Sequence, residues 1–360
     1  MGKRVLMAMS GGIDSTMSAL LLLEQGYELV GATYRTYDTI TESCISKEKG
    51  CCTIDSIMEA RDNARKLGFE HHIVDFRDDF KTHVIDDFIS QYMSGRTPNP
   101  CVLSNAFIKW GVLMDKADEL GCDYIATGHY ARIREIDGHH YLAAAADAKK
   151  DQTYFLWMIP EHHLARTLFP LGGFTKNQVR QMAAERGFIK LAEKKESQEI
   201  CFVPNDDYRT FLAANVPNYA ERCVAGNYVD RNGNMLGKHA GFPNYTIGQR
   251  KGLGIALGHP AYVTAIDANS NTITLGANDD LLTKTVSVSQ CRFTDRKRIE
   301  ANPRLMCRIR YRSMPQPATI SLDGDNAVLL FDEPVWGPTP GQSAVFYQDD
   351  CVVGGGIVER

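Results

Sequence analysis

The chain has 360 residues, 44% hydrophobic and 23% charged, with a formal net charge of −4 at pH 7. These values fit a globular protein with room for two or three cores and exclude both a disordered chain and polyanion binding through bulk charge. No apolar run reaches membrane-spanning length, the start Met-Gly-Lys-Arg carries no signal-peptide pattern, and ten scattered cysteines without Cys-x-x-Cys spacing argue against structural zinc and for a reducing, cytoplasmic setting.

Arg4–Ala8 reads as a buried strand, Thr16–Gln25 as a helix ended by Gly26, and Leu29–Tyr34 as a second strand. Between the first two lies Ala8-Met9-Ser10-Gly11-Gly12-Ile13-Asp14-Ser15. Gly11 and Gly12 permit a tight turn and a close ligand. Ser10, Ser15 and Thr16 bring hydroxyls to a helix N-terminus, whose unpaired N–H groups suit phosphate. Neither G-x-x-x-x-G-K-[ST] nor G-x-G-x-x-G with its acidic partner is present. The string Ser-Gly-Gly-x-Asp-Ser resembles the pyrophosphate loop of ATP pyrophosphatases, which implies that Asp14 stands near magnesium pyrophosphate. An ordinary Gly-rich turn is the alternative.

Tyr37–Cys52 is polar, holds Cys44, Cys51 and Cys52, and is expected to form a loop over the nucleotide site. A helix over Ile54–Leu67 ended by Gly68, a strand at His72–Asp75 and a helix over Phe80–Met93 follow, so the alternation predicts a parallel sheet covered on both faces. Pro98 and Pro100 forbid helix before Cys101, and Asn105 is expected to cap a helix running to Leu120. Cys101 then approaches a helix N-terminus, where a thiolate is favoured; a small buried hydrophobe is the other reading. A strand at Tyr124–Thr127 delivers Gly128-His129-Tyr130-Ala131-Arg132 to the sheet edge that carries ligands.

Lys149–Leu156 closes a first domain, placed at 1–165. In a second, 166–280, Thr175 and Gln178 have capping-box spacing, and Cys201 falls between a charged run and an apolar pair. From Ala225 onward short strands alternate with turns, and basic, Gly-rich Tyr245–Gly254 is a solvated or a binding loop. A third domain, 281–360, is expected to be a small β-barrel or sandwich. In it Cys307–Arg312 reads as a strand with Arg308, Arg310 and Arg312 on one face, suited to a phosphate backbone or simply solvated.

Taken together, Ser-Gly-Gly-Ile-Asp-Ser, Gly-Arg-Thr-Pro-Asn-Pro, Thr-Gly-His-Tyr-Ala-Arg, Lys-Asp-Gln-Thr-Tyr-Phe-Leu, Ser-Gln-Glu-Ile-Cys-Phe, Tyr-Thr-Ile-Gly-Gln-Arg-Lys-Gly-Leu-Gly-Ile and Arg-Tyr-Arg resemble the bacterial tRNA-specific 2-thiouridylase family over nearly the whole chain. The resemblance implies an α/β fold: an N-terminal doubly wound parallel-sheet ATP-pyrophosphatase domain, a small central domain whose Cys201 loop returns to the active site, and a C-terminal β-barrel that contacts tRNA. It implies ATP with Mg²⁺, a tRNA anticodon stem-loop with its wobble uridine, and a persulfide donor such as a cysteine desulfurase or sulfur-relay carrier. It also implies the reaction, in which ATP adenylates O2 of the uridine and sulfur from a cysteine persulfide displaces AMP. By the same resemblance Ala8, Met9, Ser10, Gly11, Gly12, Ile13, Asp14, Ser15, Tyr34 and Gly128 contact ATP, and Cys201 carries the persulfide. His129, Lys150, Asp151, Gln152, Arg310, Tyr311, Arg312 and Gln342 lie against tRNA.

The string Cys101-Val102-Leu103-Ser104 departs from that pattern, because the family has a second thiol where Ser104 stands. A serine forms no disulfide with Cys201 and is a far weaker nucleophile than a thiolate. Three readings stay open: Cys101 substitutes from one helical turn away, the chain is a divergent paralogue that uses free sulfide or has lost thiolation, or Ser104 is an introduced inactivating change. Natural divergence with Cys101 as partner is favoured; a metal cluster on Cys101 and Cys201 is disfavoured by the missing thiol. Two other classes compete, a ligase of the same loop type acting on a small metabolite and a non-catalytic tRNA-binding protein.

Overall fold

A computed structural model describes residues 2–37, 54–193, 200–203 and 207–359. The loop expected over the nucleotide site lies, beyond Tyr37, outside the described residues, as do residues 194–199 of the Cys201 string. The chain divides into two units, Met1–Val84 with Cys101–Asp206 and Asp350–Val353, and Ile85–Pro100 with Asp207–Asp349 and Gly354–Arg360.

The first unit is built on strands β1 (Arg4–Ala8), β2 (Glu28–Arg35), β3 (Glu70–Asp75) and β4 (Tyr124–Ala126), a hairpin β5 (Arg132–Ile136) and β6 (His139–Ala143), and a short β7 (Thr167–Leu168). The main sheet runs β3-β2-β1-β4-β7, and every neighbouring pair is parallel. Val5, Leu6 and Met7 are wholly buried, the continuous apolar run that a parallel strand covered on both faces requires. Strand order reverses between β1 and β4, so their C-terminal ends flank the crevice where such sheets take ligands.

Helix α1 (Ile13–Glu24) follows β1, and α2 (Ile54–Leu67) precedes β3. Ile13, Met17 and Leu21 of α1 pack with Val179 and Ala183 of the helix Lys176–Glu185. That helix opens on a complete capping box, the Thr175 hydroxyl taking the Gln178 N–H and the Gln178 side chain taking the Thr175 N–H. The boundary expected at residue 165 therefore falls inside this unit. Thr167–Leu168 extends the sheet, and the helix at 176–185 covers the apolar stripe of α1.

From Pro100 to Glu119 the chain is helical, as an α-turn (Pro100–Leu103), a π-helical stretch (Ser104–Val112) that kinks at Trp110 and Gly111, and a final α-segment (Leu113–Glu119). Proline suits a first helical position because its missing N–H has no partner to lose. Two expectations are corrected as a result. Cys101 is the second residue of the helix instead of preceding it, and Asn105 lies inside it instead of capping it. The π-stretch aims the Trp110 indole N–H at Thr167 Oγ1, 2.8 Å away.

The second unit holds two sheets. β8 (Gly226–Val229), β9 (Met235–His239), β10 (Tyr262–Asp267) and β11 (Thr272–Gly276) run in the order β10-β11-β8-β9 around Tyr228, Val263, Ile273 and Leu275. β12 (Leu282–Phe293), β13 (Arg304–Arg308), β14 (Gln316–Asp323), β15 (Asn326–Trp336), β16 (Ser343–Gln348) and β17 (Cys351–Val358) follow one another as β12-β15-β14-β13-β16-β17, and β12 pairs with β17 to close a six-stranded barrel.

The arginine row is a third correction. β13 stops at Arg308, and the Ser313 N–H reaches back to the Arg310 carbonyl at 3.1 Å, so Arg310, Tyr311 and Arg312 sit on a turn, not on one strand face. Backbone carbonyls capture the Arg310 guanidinium, which ends the alternation that the sequence suggests.

Candidate active site

The loop between β1 and α1 is held by its own hydroxyls. Ser15 Oγ accepts the Ser10 N–H at 3.1 Å, meets Ser10 Oγ at 3.2 Å and donates to the Gly12 carbonyl at 3.1 Å. Thr16 Oγ1 donates to the same carbonyl at 3.0 Å and accepts from Asn63 Nδ2 at 3.2 Å. Gly12 caps α1 without a side chain, and the hydroxyls shape the turn. Gly11 is needed here, since its φ is +73° and a Cβ would come within 2.4 Å of the Ser56 carbonyl oxygen.

The loop after β4 closes on this turn. A Cβ at Gly128 would lie 2.9 Å from both the Asp14 carbonyl carbon and the Ser15 nitrogen, so only glycine fits without displacing the loop. Asp14, at the second position of α1, receives the Tyr130 hydroxyl on Oδ1 at 2.9 Å and the Lys176 ammonium on both oxygens at 2.8 Å. The Lys176 side chain is only 7% exposed. Gln152 holds Tyr130 in turn, its Oε1 accepting the Tyr130 N–H at 2.9 Å while its own N–H reaches the Tyr130 carbonyl at 3.0 Å. Asp151 braces the same segment through the Ala145 N–H at 2.8 Å and the Thr153 hydroxyl at 2.5 Å. Lys150 beside it is half-buried.

His129 follows Gly128 and stands against Trp110 and Phe169, with ring centroids 5.8 and 6.3 Å away. Burial, helped by the nearby Lys109 charge, holds its pKa well below the ordinary histidine value, so the ring is neutral. An ammonium can only donate, so Nε2 accepts from Lys109 Nζ at 3.3 Å; Nδ1 then carries the proton and donates to Thr127 Oγ1 at 2.7 Å. Lys109 also donates to Asn105 Oδ1 at 2.8 Å, and Asn105 Nδ2 donates to the Phe155 carbonyl at 2.9 Å.

Among the thiols, Cys101 is exposed on the first helical turn and Ser104 half-buried three residues on. Cys201 is half-buried; its neighbour Phe202 is anchored edge-on to Phe80 at 5.5 Å and to Tyr37 at 6.4 Å. Tyr34, at the end of β2, stacks on Phe76 at 6.2 Å. Burial pushes the Cys291 and Cys307 thiols up to about 12 and raises Cys122, which makes all three inert as nucleophiles. Among the described residues no disulfide joins two cysteines.

In the second unit, Gln342 Nε2 donates to the carbonyls of Thr97 and Pro98 at 3.0 and 2.9 Å, securing the Gly-Arg-Thr-Pro-Asn-Pro segment. Tyr311 and Arg312 are exposed on their turn, with the Arg308 guanidinium 5.4 Å over the Tyr311 ring.

Thus the structure gathers Asp14, Ser15 and Gly128 at one point and His129 and Gln152 beside it. It also adds three residues not foreseen as site members: Tyr130, Lys176 and Lys109. Lys176 stood inside the capping-box string and Lys109 five places after Ser104, but a lone lysine in a helix ordinarily reads as a solvated charge. Among the described residues no three His, Cys, Asp or Glu side chains converge as a protein-only metal site requires. A magnesium ion would be held here by phosphates and water, since the Asp14 oxygens already receive Tyr130 and Lys176.

Comparison with known proteins is consistent along the chain. Residues 3–205 match the tRNA methyl transferase HUP domain, 210–277 the tRNA methyl transferase PRC-barrel domain, and 283–358 the aminomethyltransferase beta-barrel domain. The chain is 48% identical over 358 residues to a protein of Amoebophilus asiaticus (strain 5a2) named tRNA-specific 2-thiouridylase MnmA, covering 99% of this chain and 95% of that one. Proteins of the same name from Cytophaga hutchinsonii and Salinibacter ruber are 46% and 45% identical, over 99% of this chain and 97% and 94% of theirs.

Proposed function

The chain belongs to the tRNA-specific 2-thiouridylase family, and from that premise we propose that it is an ATP-dependent sulfurtransferase that makes 2-thiouridine at the wobble position of tRNA. The observation that carries this reading is the meeting of Gly128 with the backbone of Asp14 and Ser15. The ends of β1 and β4 make one crevice, with a phosphate turn on one wall and His129 following on the other.

In the proposed reaction the uridine O2 bonds to the α-phosphorus of ATP and pyrophosphate leaves. The terminal sulfur of a Cys201 persulfide then bonds to C2, and AMP leaves with the oxygen. The Cys101 thiolate attacks the Cys201 sulfur, freeing 2-thiouridine and leaving a Cys101–Cys201 disulfide that an external dithiol reduces. Uridine O2 is a poor leaving group until it carries AMP, so the loop's task is alignment of the phosphorus. Magnesium, when bound, would supply charge neutralisation at the phosphates, held by them and by water, since the Asp14 carboxylate is already engaged by Lys176 and Tyr130.

Residues Ala8–Ser15, Tyr34 and Gly128 are assigned to ATP. His129, Lys150, Asp151, Gln152, Tyr311 and Arg312 are assigned to tRNA, with Arg310 and Gln342 setting the backbone that presents their neighbours. Cys201 receives its sulfur from a persulfide donor protein. The target base must leave the stack to react. Ser104 favours a second reading, a chain that binds ATP and tRNA but transfers sulfur poorly.

The test is direct. Unmodified tRNA, ATP, Mg²⁺ and a persulfide donor are incubated with the chain, and nucleosides and nucleotides are counted. Equal yields of 2-thiouridine and AMP are expected; AMP without thiolated tRNA would support the second reading, and neither product would remove both.

A further inference from the structure

We propose that Lys176 is the cation of the phosphate loop: seated on Asp14, it neutralises the loop carboxylate and binds the pyrophosphate half of ATP. The inference deepens the proposed function and rests on its reading of the loop as an ATP site.

Met7–Thr16 contains one charged residue, Asp14, and no lysine or arginine. A polyphosphate brought to that turn meets a carboxylate, and the N-terminal dipole of α1 offsets only about half a charge. The common nucleotide loop solves this with a lysine inside its own sequence. Here the lysine comes from 162 positions further along, with Nζ 2.8 Å from both Asp14 oxygens.

Several features fix it there. The capping box starts its helix at Lys176, and the Lys176 N–H donates to Asp147 Oδ2 at 3.0 Å. The Tyr130 hydroxyl orients the receiving carboxylate, and the ammonium lies 5.8 Å over the Tyr130 ring. Burying such a pair is a poor way to join two helices, since apolar replacements commonly do as well. Met17 and Leu21 against Val179 and Ala183 already make that joint. A buried ammonium on the carboxylate at the first turn of α1 is instead placed for an anionic ligand.

The experiment is calorimetric binding of inorganic pyrophosphate and, separately, of AMP to the full chain, for wild type, Lys176→Met and Lys176→Arg. Lys176→Met is expected to weaken pyrophosphate about tenfold or more, ~1.4 kcal/mol, and to leave AMP within about twofold. Lys176→Arg should retain most of the pyrophosphate affinity. Equal weakening of both ligands means a purely structural ion pair, and unchanged pyrophosphate binding means no role; either overturns the proposal. If Lys176→Met fails to fold because Asp14 is stranded, Asp14→Asn is compared with Lys176→Met/Asp14→Asn. A further loss of about tenfold in the double variant is expected, and equal affinities contradict it. A wild-type chain that binds neither ligand removes the ATP reading itself. One that binds both and ignores the substitution removes only the role of Lys176.

Discussion

Arg310 donates from Nε to the carbonyl oxygen of Gly337 at 2.9 Å while its guanidinium lies 4.9 Å over the ring of Trp336. It also reaches the Ile247 carbonyl at 3.3 Å and the Thr339 hydroxyl. An arginine so engaged ties three chain segments together, and its charge is partly spent on protein oxygens. Arg310→Ala should destabilise the second unit by about 1–3 kcal/mol, since buried acceptors lose their donor. Arg312→Ala should leave stability unchanged but reduce the salt slope of tRNA binding by about one. Urea unfolding and tRNA titration at several salt concentrations measure the two. An Arg310 variant of normal stability would contradict the bracing role.

Gly128 has no room for a methyl group against the Asp14 and Ser15 backbone. Gly128→Ala should therefore push the phosphate loop and the β4 loop apart and weaken AMP and ATP binding by about tenfold or more, with a smaller effect on the unfolding midpoint. Unaltered nucleotide affinity would mean that the crevice lies elsewhere.

Cys201→Ala should abolish 2-thiouridine formation and leave tRNA affinity within about twofold, because the adenylation step precedes any need for sulfur. Tyr37 and Phe80 hold Phe202, not Cys201 itself, so the substitution leaves the anchor of the loop in place. Undiminished thiolation would sink the assignment.

His71 carries a pH signature. Burial lowers its pKa from 6.5 to about 4, and His72 and Arg61 add to the effect. Its Nε2 and Thr33 Oγ1 are 2.8 Å apart, while Nδ1 is buried with no partner. Above about 6.5 the ring is neutral whether the chain is folded or not. Below it the unfolded chain takes up a proton that the native ring refuses, so stability falls with pH until about 4, where the native ring protonates as well. His71→Gln should flatten that decline, and urea unfolding at pH 7 and pH 5 for both proteins measures it. An equal decline in the variant would assign the effect to other groups.

The sequence exposes what depends on neighbours along the chain. Ser10-Gly11-Gly12-Ile13-Asp14-Ser15 between a strand and a helix specifies the phosphate turn, and Thr175 with Gln178 specifies a helix start; both involve contacts within a few residues. Relations over long separations leave no periodicity, and so Lys176 on Asp14 and Lys109 on His129 stay hidden. Asn105 misleads because Pro100 begins the helix first, and a π-helical stretch has no distinctive composition. The Arg308–Arg312 alternation misleads because the carbonyls that capture Arg310 belong to residues 247 and 337.

Sulfur transfer through Cys101 is tested most directly by thiolation of unmodified tRNA by wild type, Cys101→Ala and Ser104→Cys, with ATP, Mg²⁺ and a persulfide donor. Cys101 sits one helical turn from Ser104 and is exposed, whereas the Ser104 hydroxyl is far too weak an acid to replace a thiolate. The wild-type chain is expected to yield 2-thiouridine, Cys101→Ala to lose it, and Ser104→Cys to gain little. A wild-type chain that makes none until Ser104→Cys supplies the thiol would contradict this expectation and place the nucleophile at position 104.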